Sequence, residues 1–71
     1  MTKRKALLRQ IAKEAKRQGL EFGLLRSGGN HDIYSLDGLH IAVKRHKEIE
    51  DEVADVLRQE FGEKLGRNWW K

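Results

Sequence analysis

The stretch His31-Asp32-Ile33-Tyr34-Ser35-Leu36-Asp37-Gly38-Leu39-His40-Ile41-Ala42-Val43 decides the architecture of the chain. Two runs rich in β-branched, aromatic and aliphatic residues flank Asp37-Gly38, a pair favoured in two-residue hairpin turns because both residues tolerate positive φ. A two-residue loop fixes the pairing of the strands. Leu36 then faces Leu39, Tyr34 faces Ile41 and Asp32 faces Val43 on one side; Ser35 faces His40, Ile33 faces Ala42 and His31 faces Lys44 on the other. The first side is the more apolar and is expected to carry the helices. His31 is expected on the uncovered side, directly across from a lysine.

Working outward, Leu20 to Arg26 alternates Leu20, Phe22 and Leu24 against Glu21, Gly23 and Leu25, the pattern of another strand. Ser27-Gly28-Gly29-Asn30 is the turn. Keeping Phe22 and Leu24 on the core side requires a loop of odd length, for instance Gly28-Gly29-Asn30, and a bulge would undo that assignment.

Before these strands, Lys3 to Gln18 has strong helix formers and no glycine or proline, with Leu8, Ile11, Ala12 and Ala15 at helical spacing and Leu7 beside them. The outer face carries Lys3, Arg4, Lys5, Arg9, Lys13, Lys16 and Arg17, and Gly19 follows where a helix would end. After the strands, Glu48 to Phe61 reads as a second helix with Ile49, Val53, Val56, Leu57 and Phe61 as its buried stripe, acidic first turns that suit the helix dipole, and Gly62 at its end. The expected fold is α+β, in the order α-β-β-β-α, with two helices on one face of a three-stranded antiparallel sheet. Residues 1–71 form a single domain whose last part, 62–71, is a tail. Its tandem Trp69-Trp70 is expected to pack on the core or meet a partner before stacking on bases.

Seventy-one residues bury too little apolar surface for both a stable core and a deep closed pocket, so a substrate is expected to be large and held on an open face. With no cysteine there is neither a disulfide scaffold nor a thiolate metal site, and reducing cytoplasm is the expected setting. Fifteen Lys and Arg against eleven Asp and Glu give a formal charge of +4, which favours a polyanion such as nucleic acid. No apolar run approaches a membrane span, so the chain is expected to be soluble, with no membrane partner.

His31, His40 and His46 lack metal-ligand spacing and a carboxylate cluster, and Asp32 points away from His31 in a regular strand, so no metal site is expected. Ser35 lacks the strained elbow of a nucleophilic serine, and Gly28-Gly29 lacks the lysine of a phosphate-binding loop. Cleavage of RNA without a metal asks for less. The ribose 2′-hydroxyl is an internal nucleophile, and the protein supplies a base, a cation for the phosphorane and an acid for the leaving oxygen. A histidine near cations on an exposed sheet meets much of that need. The plain alternative is a surface histidine capping a strand beside a flexible turn.

A resemblance shifts that balance. The run Arg26-Ser27-Gly28-Gly29-Asn30-His31-Asp32-Ile33-Tyr34 and the later Ile41-Ala42-Val43-Lys44-Arg45-His46-Lys47-Glu48-Ile49 resemble the HicA toxins of prokaryotic and phage toxin-antitoxin modules, which share a G-x-H-x-x-[FY] strand start and an [IV]-P-R-H segment before the last helix. The likeness spans about residues 5 to 61, leaving out the tryptophan tail, and Lys44 stands where proline is usual. It implies a double-stranded-RNA-binding-domain-like fold, His31 as the catalytic residue of a metal-independent mRNA endonuclease with no cofactor, a HicB-type antitoxin as protein partner, and a prokaryotic or phage-encoded cytoplasmic protein. The candidate RNA-binding residues are Arg26, Asn30, Tyr34, Lys44, Arg45 and His46. Two other classes stay open: a non-catalytic RNA-binding module of the same fold, and an interaction protein using Trp69, Trp70 and the acidic helix.

Overall fold

The computed structural model describes all 71 residues, Met1–Lys71. In chain order the elements are β1 (Thr2–Lys3), α1 (Arg4–Gln18), β2 (Phe22–Gly28), β3 (His31–Leu36), β4 (Leu39–Lys44), β5 (Glu48–Ile49) and α2 (Asp51–Leu65). Strands β2-β3-β4 form an antiparallel sheet, covered on one face by both helices. The fold is α+β, as expected. β1 and β5 add a separate two-stranded ribbon that periodicity does not reveal, because each strand is two residues long.

The β3–β4 hairpin has the register expected of its turn, from Leu36 opposite Leu39 through to His31 opposite Lys44. Asp37 and Gly38 take φ values of 50° and 88°, the double positive φ that lets the turn follow the strand twist. The β2–β3 hairpin differs from expectation. Its loop is the two residues Gly29-Asn30, Gly28 pairs with His31, and the odd residue is Leu25, bulged out of β2 between Leu24 and Arg26. The parity that sets Phe22 opposite Leu36 and Leu24 opposite Tyr34 is kept, with the extra residue moved from the loop into the strand. Leu24 lies on the helix side yet is 55% exposed.

Helix α1 buries Leu7, Ile11 and Ala15; Leu8 is half-buried and Ala12 exposed, so the stripe is rotated from the expected one by part of a turn. In α2 the buried residues are Ala54, Leu57, Phe61 and Leu65. Ile49 is buried from the ribbon and not from the helix, and Val56 is 52% exposed. The helix runs through Gly62 to Leu65 because Leu65 still reaches the core and Trp69 folds back over Gly62, placing its indole Cδ1 3.6 Å from where a Cβ would stand. The Trp69 Nε1–H donates to the Arg58 carbonyl at 2.7 Å, so this tryptophan is part of the packing. At the centre, Phe61 meets Phe22 edge-on at 5.8 Å, and Phe22 stacks on Tyr34 at 5.4 Å. No helix is long and apolar enough to cross a membrane.

Candidate nucleic-acid interface

The alternation of β3 separates two neighbouring polar residues. His31 is exposed on the open face, paired with Gly28 on one side and Lys44 on the other. Gly28 carries no side chain, and a Cβ there would meet nothing within 4 Å, so the imidazole is approachable over β2. Arg26, opposite Ile33 in the next row, is also exposed on this face.

Asp32 faces the helices and is 8% exposed, the single buried charged residue of the chain. Its carboxylate accepts from Arg4 Nη2 at 2.6 Å and from Ser27 Oγ at 2.7 Å, with Arg45 Nε at 3.5 Å. Arg4 also donates to the Lys44 carbonyl at 2.8 Å, and Arg45 Nη1 to the Gly29 carbonyl at 3.4 Å. One buried carboxylate thus ties the start of α1, the end of β2, the start of β3 and the segment after β4 directly beneath His31. Burial of such a group is tolerated because it is paired and fully hydrogen-bonded.

The candidate residues fall into three places. Lys44 and Arg26 share the open face with His31. Asn30, Arg45 and His46 line a hollow of about 390 Å³ at the same end of the sheet, where the Asn30 carbonyl accepts from the Arg45 amide at 3.2 Å. Tyr34 is not brought to the site. It lies on the helix side, stacked on Phe22, its hydroxyl 3.4 Å from Arg4 Nη2, because it shares the parity of Asp32 and not of His31. His40 is exposed on the open face opposite Ser35, four residues along β3 from His31, roughly 13 Å at strand rise. That separation keeps the two imidazoles from serving one phosphate, and His46 lines the hollow beside Asn30. No group of three or more His, Asp or Glu side chains is placed to hold a metal ion.

Arg4, Ser27 and Asp32 are the members of this region that sequence reasoning misses as a set. Asp32 between β-branched and aromatic neighbours, on the side the register assigns to the core, is the available signal that a buried carboxylate needs a cation. The chain matches no protein-family model, no curated protein and no solved structure.

Proposed function

We propose that this protein is a metal-independent endoribonuclease of the HicA toxin type, cutting mRNA in the cytoplasm of a prokaryotic cell and held in check by a HicB-type antitoxin. The observation that carries the reading is the exposed His31 imidazole, opposite Lys44 on the uncovered face of the sheet, with Arg26, Arg45 and His46 around the same end. In the reaction His31 takes the proton of a ribose 2′-hydroxyl, the oxygen attacks the adjacent phosphorus, Lys44 offsets the charge gathering on the phosphorane, and the 5′-oxygen leaves with a proton supplied from the cationic rim that holds His46. A flat open face suits a substrate too large for a pocket.

The test is incubation of purified protein with long RNA in EDTA. Wild type should cleave, and His31→Ala should lose cleavage by about 10²–10⁴-fold, the usual worth of a positioned acid/base, while keeping its fold by circular dichroism. A folded H31A that cleaves at the wild-type rate ends the proposal. The second reading, an RNA-binding module without catalysis, is favoured by the distance of His40 from His31, and it predicts intact RNA with salt-sensitive binding.

A further inference from the structure

The ribbon β1–β5 brings together two basic segments that lie 40 residues apart in the chain. The Arg4 amide donates to the Lys47 carbonyl at 2.9 Å, and Thr2 and Lys3 pair with Ile49 and Glu48. Between them is a hollow of about 850 Å³, larger than the one beside Asn30, walled by Lys3, Arg4, Lys5, Arg45, His46 and Lys47. Five of the fifteen lysines and arginines of the chain line it, against one of the eleven acidic residues, Glu48.

Its cations divide into two sets. Arg4 and Arg45 are committed to Asp32 and stiffen the floor. Lys3, Lys5 and Lys47 are exposed and take part in no ion pair, and the nearby Asp51 is taken up by the Thr2 hydroxyl at 2.9 Å and the N-terminal amine at 3.7 Å. Gathering like charges around one concavity costs electrostatic energy that a bound anion would offset. Only Met1 among the lining residues is apolar, and the remaining apolar surface of the hollow is the stems of side chains with charged or polar tips. It contains no Phe, Tyr or Trp ring on which a base could stack.

We propose that this hollow is an anchoring site for the phosphate backbone of RNA, separate from the His31 face and joined to it through the Arg45–His46 wall that the two hollows share. The inference rests on RNA being the ligand, as in the function proposed above, and does not depend on cleavage. The anchor reads no sequence, and it holds nucleotides to one side of those lying over His31.

The experiment uses full-length His31→Ala protein, so that RNA survives, and a fluorescent single-stranded RNA titrated across salt concentrations. Replacing Lys3, Lys5 and Lys47 together by glutamine should flatten the log–log salt slope by roughly 2, about 0.7 for each phosphate no longer neutralised, and weaken binding at 50 mM salt by roughly a hundredfold, equally for RNAs of different sequence. Should the triple variant fail to fold, K5Q and K47Q singly should each flatten the slope by about 0.7. An unchanged slope in folded variants overturns the anchor. A polyglutamate peptide of equal charge that binds as tightly as the RNA and loses affinity in the same variants overturns it in favour of an acidic protein. Wild-type protein that binds RNA through these lysines without cutting it leaves the anchor standing and removes only the nuclease reading.

Discussion

Asp32 follows His31 in the chain and sits on the opposite side of the sheet, so the two residues divide the work of one strand end. The imidazole is displayed and the carboxylate is buried, and the cations that would help a phosphate are in part held in place by Asp32. Removing one member of a buried pair leaves the other charge unpaired, which costs more than the pair itself is worth. Asp32→Ala should therefore lower unfolding free energy by about 3 kcal/mol, toward the low end of such losses because Arg4 keeps the Lys44 carbonyl. Asp32→Asn, which can still accept from Ser27 Oγ and Arg4, should lose less. Urea unfolding measures both, and a loss in D32A too small to separate from wild type would mean that the network is not what joins α1 to the sheet. The partition is legible in the sequence, since the Asp37-Gly38 turn alone places His31 and Lys44 on one face and Asp32 and Tyr34 on the other. The same register tells against Tyr34 as an RNA contact. The partner of Asp32 is not legible, because Arg4 is 28 residues away in an element whose docking no local pattern specifies.

Helix α2 carries a glycine within its span, at the point where the sequence pattern ends the helix. Gly62 costs about 1 kcal/mol relative to alanine in a helix, and the helix continues because Leu65 beyond it is buried and Trp69 folds back over Gly62. A Cβ at Gly62 would meet Trp69 Cδ1 at 3.6 Å, an ordinary contact, so Gly62→Ala should stabilise the protein by about 0.5–1 kcal/mol and raise the melting temperature by roughly 2–8 °C. A melting temperature at or below that of wild type would show that Trp69 cannot accommodate the methyl group. Helix α1 is joined to the far end of α2 by Gln18, whose Nε2 donates to the Leu65 carbonyl at 2.6 Å and to Glu14 at 2.7 Å. Hydrogen bonds from the Arg17 guanidinium and from Gln18 lower the Glu14 carboxyl from 4.5 to about 2. A carboxyl lowered on folding adds stability above its unfolded value that disappears as pH falls toward its folded value. Wild type should therefore exceed Glu14→Gln in melting temperature above about pH 4.5, and the difference should shrink between about pH 4.5 and about pH 2. A difference that does not vary with pH across that window would remove Glu14 as the titrating group. These helix ends are poorly legible because burial beyond the pattern, at Leu65 and Trp69, outweighs the local stop signal.

Across the whole molecule, what can be read is what is local. The β3–β4 hairpin and the three-strand, two-helix layout follow from a turn and from periodicities within single segments. What escapes is assembled from distant pieces: the ribbon pairing Thr2 with Ile49, the bulge at Leu25 that only a parity count hints at, and the basic hollow that exists because residues 3–5 are pinned against 45–47. The layout that results has twelve of 71 residues buried, too few for a large stability margin, and five of its fifteen lysines and arginines around one hollow. Such a protein should respond strongly to any ligand that binds only its folded form. For H31A with RNA at a hundred times its dissociation constant, linkage adds about 2.7 kcal/mol, or roughly 10–20 °C in melting temperature for a domain of this size. The gain should fall somewhat short of that, because the unfolded chain is also cationic and keeps some affinity. Backbone binding proceeds by counterion release, so at a fixed RNA concentration raising salt from 50 to 200 mM should erase most of the shift. A large shift that survives the added salt would point to a ligand held by apolar contact or base stacking and against a surface built around phosphates, and no shift at low salt would remove RNA as the ligand altogether.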